Sequence, residues 1–393
     1  MADGYVCAIN RGRDGYQVPL ALHEAGLLAC FVTDYYAPDG PPEWLPTALR
    51  RRRTPGLPAT VTRNAPLSFV LQSAAQSLRL PMGRIFPVTD RLLAARAARV
   101  ARRVNAHLYC YAPHLPDERS IAQGTRRVIF EYHPTPALSL DVLDADHARF
   151  PQTRWSYQLE RAALSRSRRN DAWKRADAVV CASAMTRRSL EHDGCPPDRI
   201  TVIPYGTAPS SLPAIVPRGG RAEFLFVGQG IQRKGLHHLI EAWQASGLAD
   251  ARLTLVCYSI DPGIQEMITD PSIRLLGRQD RAGLDRLYAQ ADVFVMPSLV
   301  EGFGLVYLEA LAQGCHIIGT ENTGLPDLAL PGEAATLVRA GDLTALATAL
   351  TTARDAALAG HLDRAAIHAA AAKWQWCDFR RAIAEHARAA LTG

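Results

Sequence analysis

Two glutamates flank a glycine-rich turn in the segment VMPSLVEGFGLVYLEALAQG, residues 295–314. Glu301 directly precedes Gly302, and Glu309 lies within the stretch of helical composition that follows the turn. The turn comes after an apolar strand pattern, so the first N–H groups of the helix are free to bind a phosphate or a hydroxyl. Because carboxylates repel phosphate, we expect both glutamates to accept hydrogen bonds from neutral hydroxyls, such as those of a ribose and a hexose. Ordinary acidic residues near a helix start would show the same spacing, so the pair alone does not establish a ligand-binding site.

A second strand-turn-helix pattern, EFLFVGQGIQRKGLHHLIEAW, places two cations at the end of a predicted strand. Gly228 and Gly230 permit close approach of the backbone to a ligand, and Arg233 and Lys234 precede the predicted helix. A fixed pair of cations suits a diphosphate, which gains charge when it leaves as a product. Arg233 stands where a dinucleotide-binding fingerprint has its third glycine, which argues against a hydride-transfer site.

The N-terminal half offers two weaker candidates at predicted strand ends. In VIFEYHPTP, His133 follows a strand, where it could bond a sugar or change charge near neutral pH. A single histidine in this position is also commonly structural. In INRGRDGYQVPLALHEAG, Gly15 lies between a strand and a predicted helix, so its backbone can approach a ligand.

The elements that must position these residues follow one pattern along the chain. Short apolar runs alternate with longer helical patterns, first from Tyr5 and again from Glu223, as is typical of parallel α/β sheets. The serine-, proline- and glycine-rich residues 210–220 predict a linker. We therefore predict an α/β fold of two doubly wound, Rossmann-like domains that face each other across a cleft.

Charge is distributed unevenly along the chain of 393 residues, whose formal net charge is +6. Residues 1–208 contain 28 Lys and Arg against 19 Asp and Glu, which predicts an anionic partner for this half. Aromatic residues do not interleave with the basic ones, so we expect an anionic membrane surface or substrate and no nucleic acid. The arginine-rich amphipathic helix predicted at Asp90–Val104 suits a membrane surface, although a solvated charged face is the simpler interpretation. The start of the chain lacks a signal peptide pattern, so we expect a cytoplasmic protein, peripheral on the inner face of the membrane if it docks there.

Several segments together resemble the retaining glycosyltransferases with the GT-B fold, glycosyltransferase family four of the group 1 type. The similar segments are VIPYGT, LFVGQG with RKGLHHLIEAW, LYAQADVFVMPSLVEGFGLVYLEALAQG, ENTGLPDL and TLVRAGDLTALATAL. The resemblance implies that a hexose-type sugar moves from a nucleotide diphosphate donor to a glycan, lipid-linked or small-molecule acceptor, as in polysaccharide biosynthesis. It further implies retention of anomeric configuration, without a metal or other cofactor. Residues 1–209 would form the acceptor-side domain, 221–374 the donor domain, and 375–393 a helix crossing back to the N-terminal domain.

The resemblance also implies a role for each matching residue. His133 and Glu301 would be catalytic positions beside the donor sugar. Glu309 would bind the nucleotide ribose, while Arg233 and Lys234 would hold the diphosphate. Further donor contacts would come from the backbone at Gly15, Gly228, Arg278, Phe303, Gly304 and Leu305.

Three alternatives remain at this level. A sugar-nucleotide epimerase shares the architecture, and a catalytically inactive binding subunit would retain it. Asp144 and Asp146 form a D-x-D pattern, which metal-dependent glycosyltransferases of another fold use. The pattern does not close a predicted strand here, so we expect no metal site.

Overall fold

The computed structural model describes residues 4–78, 80, 82–167, 169, 171–213 and 220–392. Within these residues the chain forms two parallel sheets, one of seven strands and one of six. The predicted α/β fold with two doubly wound domains is thus confirmed. Residues 214–219 of the predicted linker lie outside the described residues.

The first sheet has the strand order β3-β2-β1-β4-β5-β6-β7. Its strands are β1 (Tyr5–Ala8), β2 (Leu28–Thr33), β3 (Thr62–Asn64), β4 (His107–Tyr111), β5 (Arg127–Glu131), β6 (Ala178–Cys181) and β7 (Ile200–Val202). The helices of this half are α1 (Gln17–Glu24), α2 (Thr47–Arg50), α3 (Pro66–Ser77), α4 (Met82–Val104), α5 (Pro136–Arg149), α6 (Arg154–Ser165) and α7 (Ala184–His192).

The second sheet has the order β10-β9-β8-β11-β12-β13. Its strands are β8 (Ala222–Gly230), β9 (Ala251–Ile260), β10 (Ile273–Leu276), β11 (Val293–Met296), β12 (His316–Thr320) and β13 (Ala335–Val338). The helices are α8 (Leu236–Ser246), α9 (Pro262–Glu266), α10 (Arg281–Gln290), α11 (Leu305–Ala312), α12 (Leu343–Leu358), α13 (Arg364–Ala371) and α14 (Trp376–Thr392). None of the helices described here is long and apolar enough to cross a lipid bilayer.

Each sheet has a point where the strand order reverses. In the first sheet β1 lies between β2 and β4, and in the second β8 lies between β9 and β11. The connections on the two sides of such a strand run in opposite directions, which leaves a crevice at the carboxyl ends of the strands. The loops that follow β1, β8 and β11 carry Gly15, Arg233 and Glu301, so the fold itself brings these candidates to the two crevices.

Strand β8 is longer than the sequence predicts. The glycines expected in a turn, Gly228 and Gly230, belong to the strand and pair with Cys257 and Ile260 of β9. A Cβ atom on Gly230 would lie 2.6 Å from the Ile260 side chain. Gly230 is therefore needed where β8 and β9 approach closely. Arg233 and Lys234 follow shortly after the end of β8.

The last helix, α14, packs on the first domain although it follows the second one in the chain. The Tyr5 hydroxyl donates to the Ala387 carbonyl at 2.9 Å, and Arg380 forms an ion pair with Glu24 at 2.7 Å. A Cβ atom on Gly206 would lie 2.4 Å from the Gln375 carbonyl carbon, so backbone meets backbone where the chain returns. The two domains are therefore tied together at this end as well.

Candidate active site

Glu301 lies at the centre of a charged cluster between the two domains. Its Oε2 accepts a hydrogen bond from Arg233 Nη1 at 2.8 Å and another from Lys234 Nζ. On the other side, His133 Nδ1 of the N-terminal domain lies 3.4 Å from Glu301 Oε1. The carboxylate is 6% exposed, so its interactions are only weakly screened by water.

Burial and neighbouring charges compete at this carboxylate. Burial raises the pKa of Glu301, but the charges of Lys234 and Arg233 outweigh it and hold the pKa well below its usual value. Burial lowers the pKa of Lys234, an effect that the charge of Glu301 opposes. Burial also lowers the pKa of His133 well below its usual value, against the attraction of Glu301. Near neutral pH the cluster therefore contains one carboxylate, two cations and a neutral imidazole.

Both oxygens of Glu301 have partners within the protein. Its Oε2 accepts from both cations, and the Gly302 N–H donates to Oε1 at 3.0 Å. Sequence reasoning assigned Arg233 and Lys234 to a phosphate and did not foresee their pairing with Glu301. The eight residues 297–304 that separate strand β11 from α11 gave no signal of this pairing, because it depends on how two loops meet.

Glu309 lies on α11 with 35% of its side chain exposed. Tyr288 donates its hydroxyl to Glu309 at 3.3 Å, and Arg281 Nη1 lies 3.5 Å from the carboxylate. Burial raises the pKa of Glu309, and the charge of Arg281 partly offsets that effect. The carboxylate thus keeps an open side on which it can accept hydrogen bonds from a ligand.

The turn between the glutamates has the backbone geometry of an anion or hydroxyl site. Gly304 caps α11 with φ 88°, in the left-handed region, so a residue with a Cβ would be strained there. Leu305 begins the helix, whose first N–H groups have no intrahelical acceptor. The Phe303 side chain is 2% exposed and packs edge-on against Tyr205, with ring centroids 5.4 Å apart. Phe303 therefore anchors the turn in the core and offers only its backbone to a ligand.

An arginine that sequence reasoning missed holds the His133 segment in place. Arg169 Nε donates to Glu131 at 2.7 Å, and its Nη2 donates to the His133 carbonyl at 2.8 Å. Arg13 lies with its guanidinium 3.9 Å from the centroid of the Tyr132 ring, next to His133. Such contacts leave little trace in a sequence, since the partners are up to 119 residues apart.

The loop after β1 has an unusual backbone. Gly12, Gly15 and three residues that carry a Cβ, among them Asp14, all have positive φ angles. Tyr111 donates its hydroxyl to Asp14, whose pKa burial raises to about 7 although this bond and Arg13 lower it. The loop is thus held in a conformation of high energy at the cleft, a feature that is common at binding sites.

Two predicted donor residues lie apart from the charged cluster. Gly228 lies within β8, before the turn that carries the cations. Arg278 is exposed on the loop between β10 and α10.

The two aspartates of the D-x-D pattern face different surroundings. Asp144 is at the surface, where it accepts a hydrogen bond from Tyr157 at 2.9 Å. Asp146 is buried and accepts from His237 at 3.0 Å, from His238 at 2.6 Å and from Gln232 at 2.8 Å. Asp146, His237 and His238 could in principle hold a metal ion, since their ligand atoms lie within 4.8 Å of one another. Here the three donors satisfy the carboxylate and join α5 of the first domain to α8, and to the turn before it, in the second.

Two family models match the chain over most of its length. The group 1 glycosyl transferases match residues 221–355, and Glycosyltransferase Family 4 matches residues 78–210. The chain belongs to the family 4 glycosyltransferases. Its residues Glu301, Arg233 and Lys234 lie in the first of these segments and His133 in the second.

Curated relatives match this chain over part of its length. It is 30% identical over 226 residues to the glycogen synthase of Mycobacterium tuberculosis, which covers 55% of this chain and 54% of the relative. It is 28% identical over 191 residues to the amylovoran biosynthesis glycosyltransferase AmsK of Erwinia amylovora, with coverage of 44% and 46%. The chain spans about half the length of the curated relatives it matches.

Solved structures match the whole chain. Sucrose-phosphate synthase from Thermosynechococcus elongatus shares 19% identity and a TM-score of 0.61, with 99% of both chains covered. An α,α-trehalose-phosphate synthase from Burkholderia vietnamiensis shares 16% identity and a TM-score of 0.62, with 100% of this chain and 98% of that chain covered. At these identities the likeness establishes a common GT-B fold.

Proposed function

We propose that this protein is a retaining hexosyltransferase that uses a nucleotide diphosphate sugar as donor and a glycan, lipid-linked or small-molecule acceptor. The observation that carries the proposal is the meeting of Arg233, Lys234 and His133 at Glu301 in the cleft between the domains. Glu301 holds the two cations together as one fixed group, and Glu160 lies 3.6 Å from Arg233 at its edge. A departing diphosphate needs such a group, because negative charge develops on it as the sugar leaves.

In this proposal each residue acts on a defined part of the donor. Arg233 and Lys234 hold the diphosphate, and Glu301 keeps both cations aimed at it. The N–H groups at Gly304 and Leu305 bond the phosphate or the sugar. Glu309 accepts hydrogen bonds from the ribose hydroxyls, and the neutral His133 bonds the sugar from the opposite domain. The diphosphate leaves and the acceptor attacks on the same face of the sugar, which retains the anomeric configuration.

The same residues support transfer without a metal ion. Arg233 and Lys234 supply the positive charge that a divalent cation would otherwise supply to the diphosphate. Turnover is then expected to be equal in EDTA and in magnesium. A requirement for a divalent ion would contradict this part of the proposal.

A turnover assay tests the proposal directly. Purified protein is incubated with UDP-, GDP-, ADP- and dTDP-sugars and a mixture of glycan and lipid-linked acceptors, and the release of nucleotide diphosphate is measured. We expect one donor to react only when an acceptor is present, with the product anomer matching that of the donor by NMR. Glu301→Gln should lower the rate about 100-fold, because the cations lose the group that positions them. An epimeric sugar nucleotide formed without any acceptor would indicate an epimerase instead.

We further propose that the N-terminal half docks on an anionic membrane surface at the inner face of the membrane to reach such an acceptor. Helix α4 exposes Arg91, Arg99, Arg102 and Arg103, and the neighbouring α3 exposes Leu67 and Val70, which are 58% and 57% accessible. Exposed apolar side chains beside arginines suit an anionic lipid surface. Sedimentation with liposomes tests this, since equal recovery with neutral and acidic vesicles at low salt would contradict it.

A further inference from the structure

A large apolar cavity opens between α4, α6 and the carboxyl end of β8, with a volume of about 560 Å³. Its apolar wall includes Met82, Phe86, Trp155, Leu159, Ala163 and Ile231. Trp155 and Leu159 are 45% and 50% exposed, so the described residues leave apolar area of α6 uncovered at the cavity. The volume lies within the range of roughly 300–1,000 Å³ found for small-molecule sites.

The cavity adjoins the charged cluster. Glu160 lines it, and its Oε2 lies 3.6 Å from Arg233 Nε, whose Nη1 in turn bonds Glu301. Gln229 and Ile231, which precede the cation pair in the chain, line it from the second domain. A molecule that fills the cavity therefore reaches the place where the cations would hold the donor diphosphate.

The charges around the cavity are those that suit an anionic head group. Arg84 and Arg166 line the cavity and are exposed, and neither has a carboxylate partner among the described residues. The acid that lines it, Glu160, is already paired with Arg233. The Arg11 guanidinium lies 3.6 Å from the centroid of the Phe86 ring at the wall. Apolar walls beside arginines that have no carboxylate partner in the described part of the chain are complementary to an amphiphile that carries a phosphate.

We infer that this cavity binds the apolar chain of a phosphate-bearing lipid acceptor, with Arg84 and Arg166 on the phosphate. This inference rests on the proposed glycosyl transfer and narrows its acceptor to a phospholipid-like or lipid phosphate class. The chain would lie along α6, and the head group would be directed toward the cleft at Glu160 and Arg233.

A chain-length series tests the inference. Butyl, hexyl, octyl and decyl phosphate, each below its critical micelle concentration, are titrated calorimetrically into the full-length protein. We expect affinity to rise about two- to fourfold for each added methylene, as burial of the chain requires. Decanol should bind at least tenfold more weakly than decyl phosphate, and the double variant Arg84→Gln/Arg166→Gln should remove that difference.

Two substitutions on α6 locate the binding. Ala163→Phe places a ring in the cavity, whereas Gln158→Phe adds the same ring to an exposed position that does not line it. Ala163→Phe should weaken decyl phosphate at least tenfold and flatten the chain-length dependence, while Gln158→Phe should leave both unchanged. Equal behaviour of the two variants, or binding of inorganic phosphate alone with no chain-length dependence, would overturn the inference.

A nucleotide titration on the same preparations separates this inference from the proposed function. If a nucleoside diphosphate binds and the alkyl phosphates show no chain-length dependence, the lipid acceptor is wrong while the glycosyltransferase proposal stands. If the alkyl phosphates bind in the cavity and no nucleotide binds, the cavity is a lipid site but its role as an acceptor site is overturned.

Discussion

The sequence predicted the surroundings of some site residues better than those of others. The spacing of Glu301 and Glu309 around a glycine turn correctly indicated a strand end followed by a helix. The spacing could not show that Glu301 is buried among Arg233, Lys234 and His133, because these side chains come from two other loops. Glu309 remains more open, with Tyr288 and Arg281 as its neighbours. The two glutamates therefore have different environments despite their similar sequence context.

Replacement of Glu309 by glutamine tests its role in donor binding. The amide keeps the shape of the side chain but loses the charge that strengthens hydrogen bonds to ribose hydroxyls, which are worth roughly 1.5–3 kcal/mol each to a charged group. We expect Glu309→Gln to weaken nucleotide diphosphate binding about tenfold or more in calorimetry. The melting temperature should stay nearly unchanged, since the side chain is 35% exposed.

A matched control is Glu385→Gln, at an exposed glutamate on α14 outside the cleft. This variant should bind nucleotide like the unchanged protein. Equal nucleotide affinity in Glu309→Gln and Glu385→Gln would show that Glu309 does not bind the ribose.

At the scale of elements, the turn at Gly302 is where the second domain meets the first. A Cβ atom on Gly302 would lie 2.0 Å from the Tyr132 carbonyl oxygen and 3.0 Å from His133 Cα. The Gly302 carbonyl also accepts hydrogen bonds from the Ser183 and Thr186 hydroxyls. The glycine-rich sequence predicted a turn, but only the packing explains why this position excludes a side chain.

Gly302→Ala should therefore separate β5 from the turn and disturb the cluster at Glu301. We expect the free energy of unfolding to fall by about 1–3 kcal/mol, the usual cost of overpacking, and turnover to fall more than stability alone explains. Urea unfolding and the turnover assay measure the two effects. Gly332→Ala is the control, because a Cβ atom there meets no atom within 4 Å. If Gly302→Ala and Gly332→Ala are equally stable and active, the close contact between Gly302 and Tyr132 does not contribute to function.

At the scale of the molecule, the sequence predicted both sheets but not the contacts between them. The strand pattern is local, so Tyr5 and Glu223 were correctly recognised as the starts of two α/β units. Asp146 with His238, and Ser156 with Asp261 at 2.7 Å, pair residues that lie about a hundred positions apart. No local pattern shows which residues pair in these contacts, so the contacts and the adjacent cavity emerge only from the folded chain.

We expect the stability of the protein to depend on pH through His386, which lies on α14, the helix that packs on the first domain. Burial lowers the pKa of His386 below its ordinary value of 6.5, and its ring packs edge-on against Tyr109. Below about pH 6.5 the unfolded chain takes up a proton that the folded state resists, so stability falls as the pH falls. His386→Phe removes this contribution, and its stability relative to the unchanged protein should improve by up to about 1 kcal/mol per pH unit below 6.5.

Urea unfolding at pH 7.5, 6.5 and 5.5 measures the effect, with His361→Phe at an exposed position as the control. Parallel profiles for His386→Phe and the unchanged protein would show that His386 titrates alike in the folded and unfolded states.

The most direct test of the central claim is a thermal-shift panel of UDP, GDP, ADP and dTDP in EDTA, with the unchanged protein and Lys234→Ala. A ligand that binds the folded state raises the melting temperature, by an amount set by its concentration relative to its dissociation constant. We predict that one nucleotide gives a clear shift without metal and that Lys234→Ala abolishes most of it. If no nucleotide shifts the unchanged protein, the cation cluster at Glu301 does not bind a donor diphosphate and the proposed glycosyl transfer is contradicted.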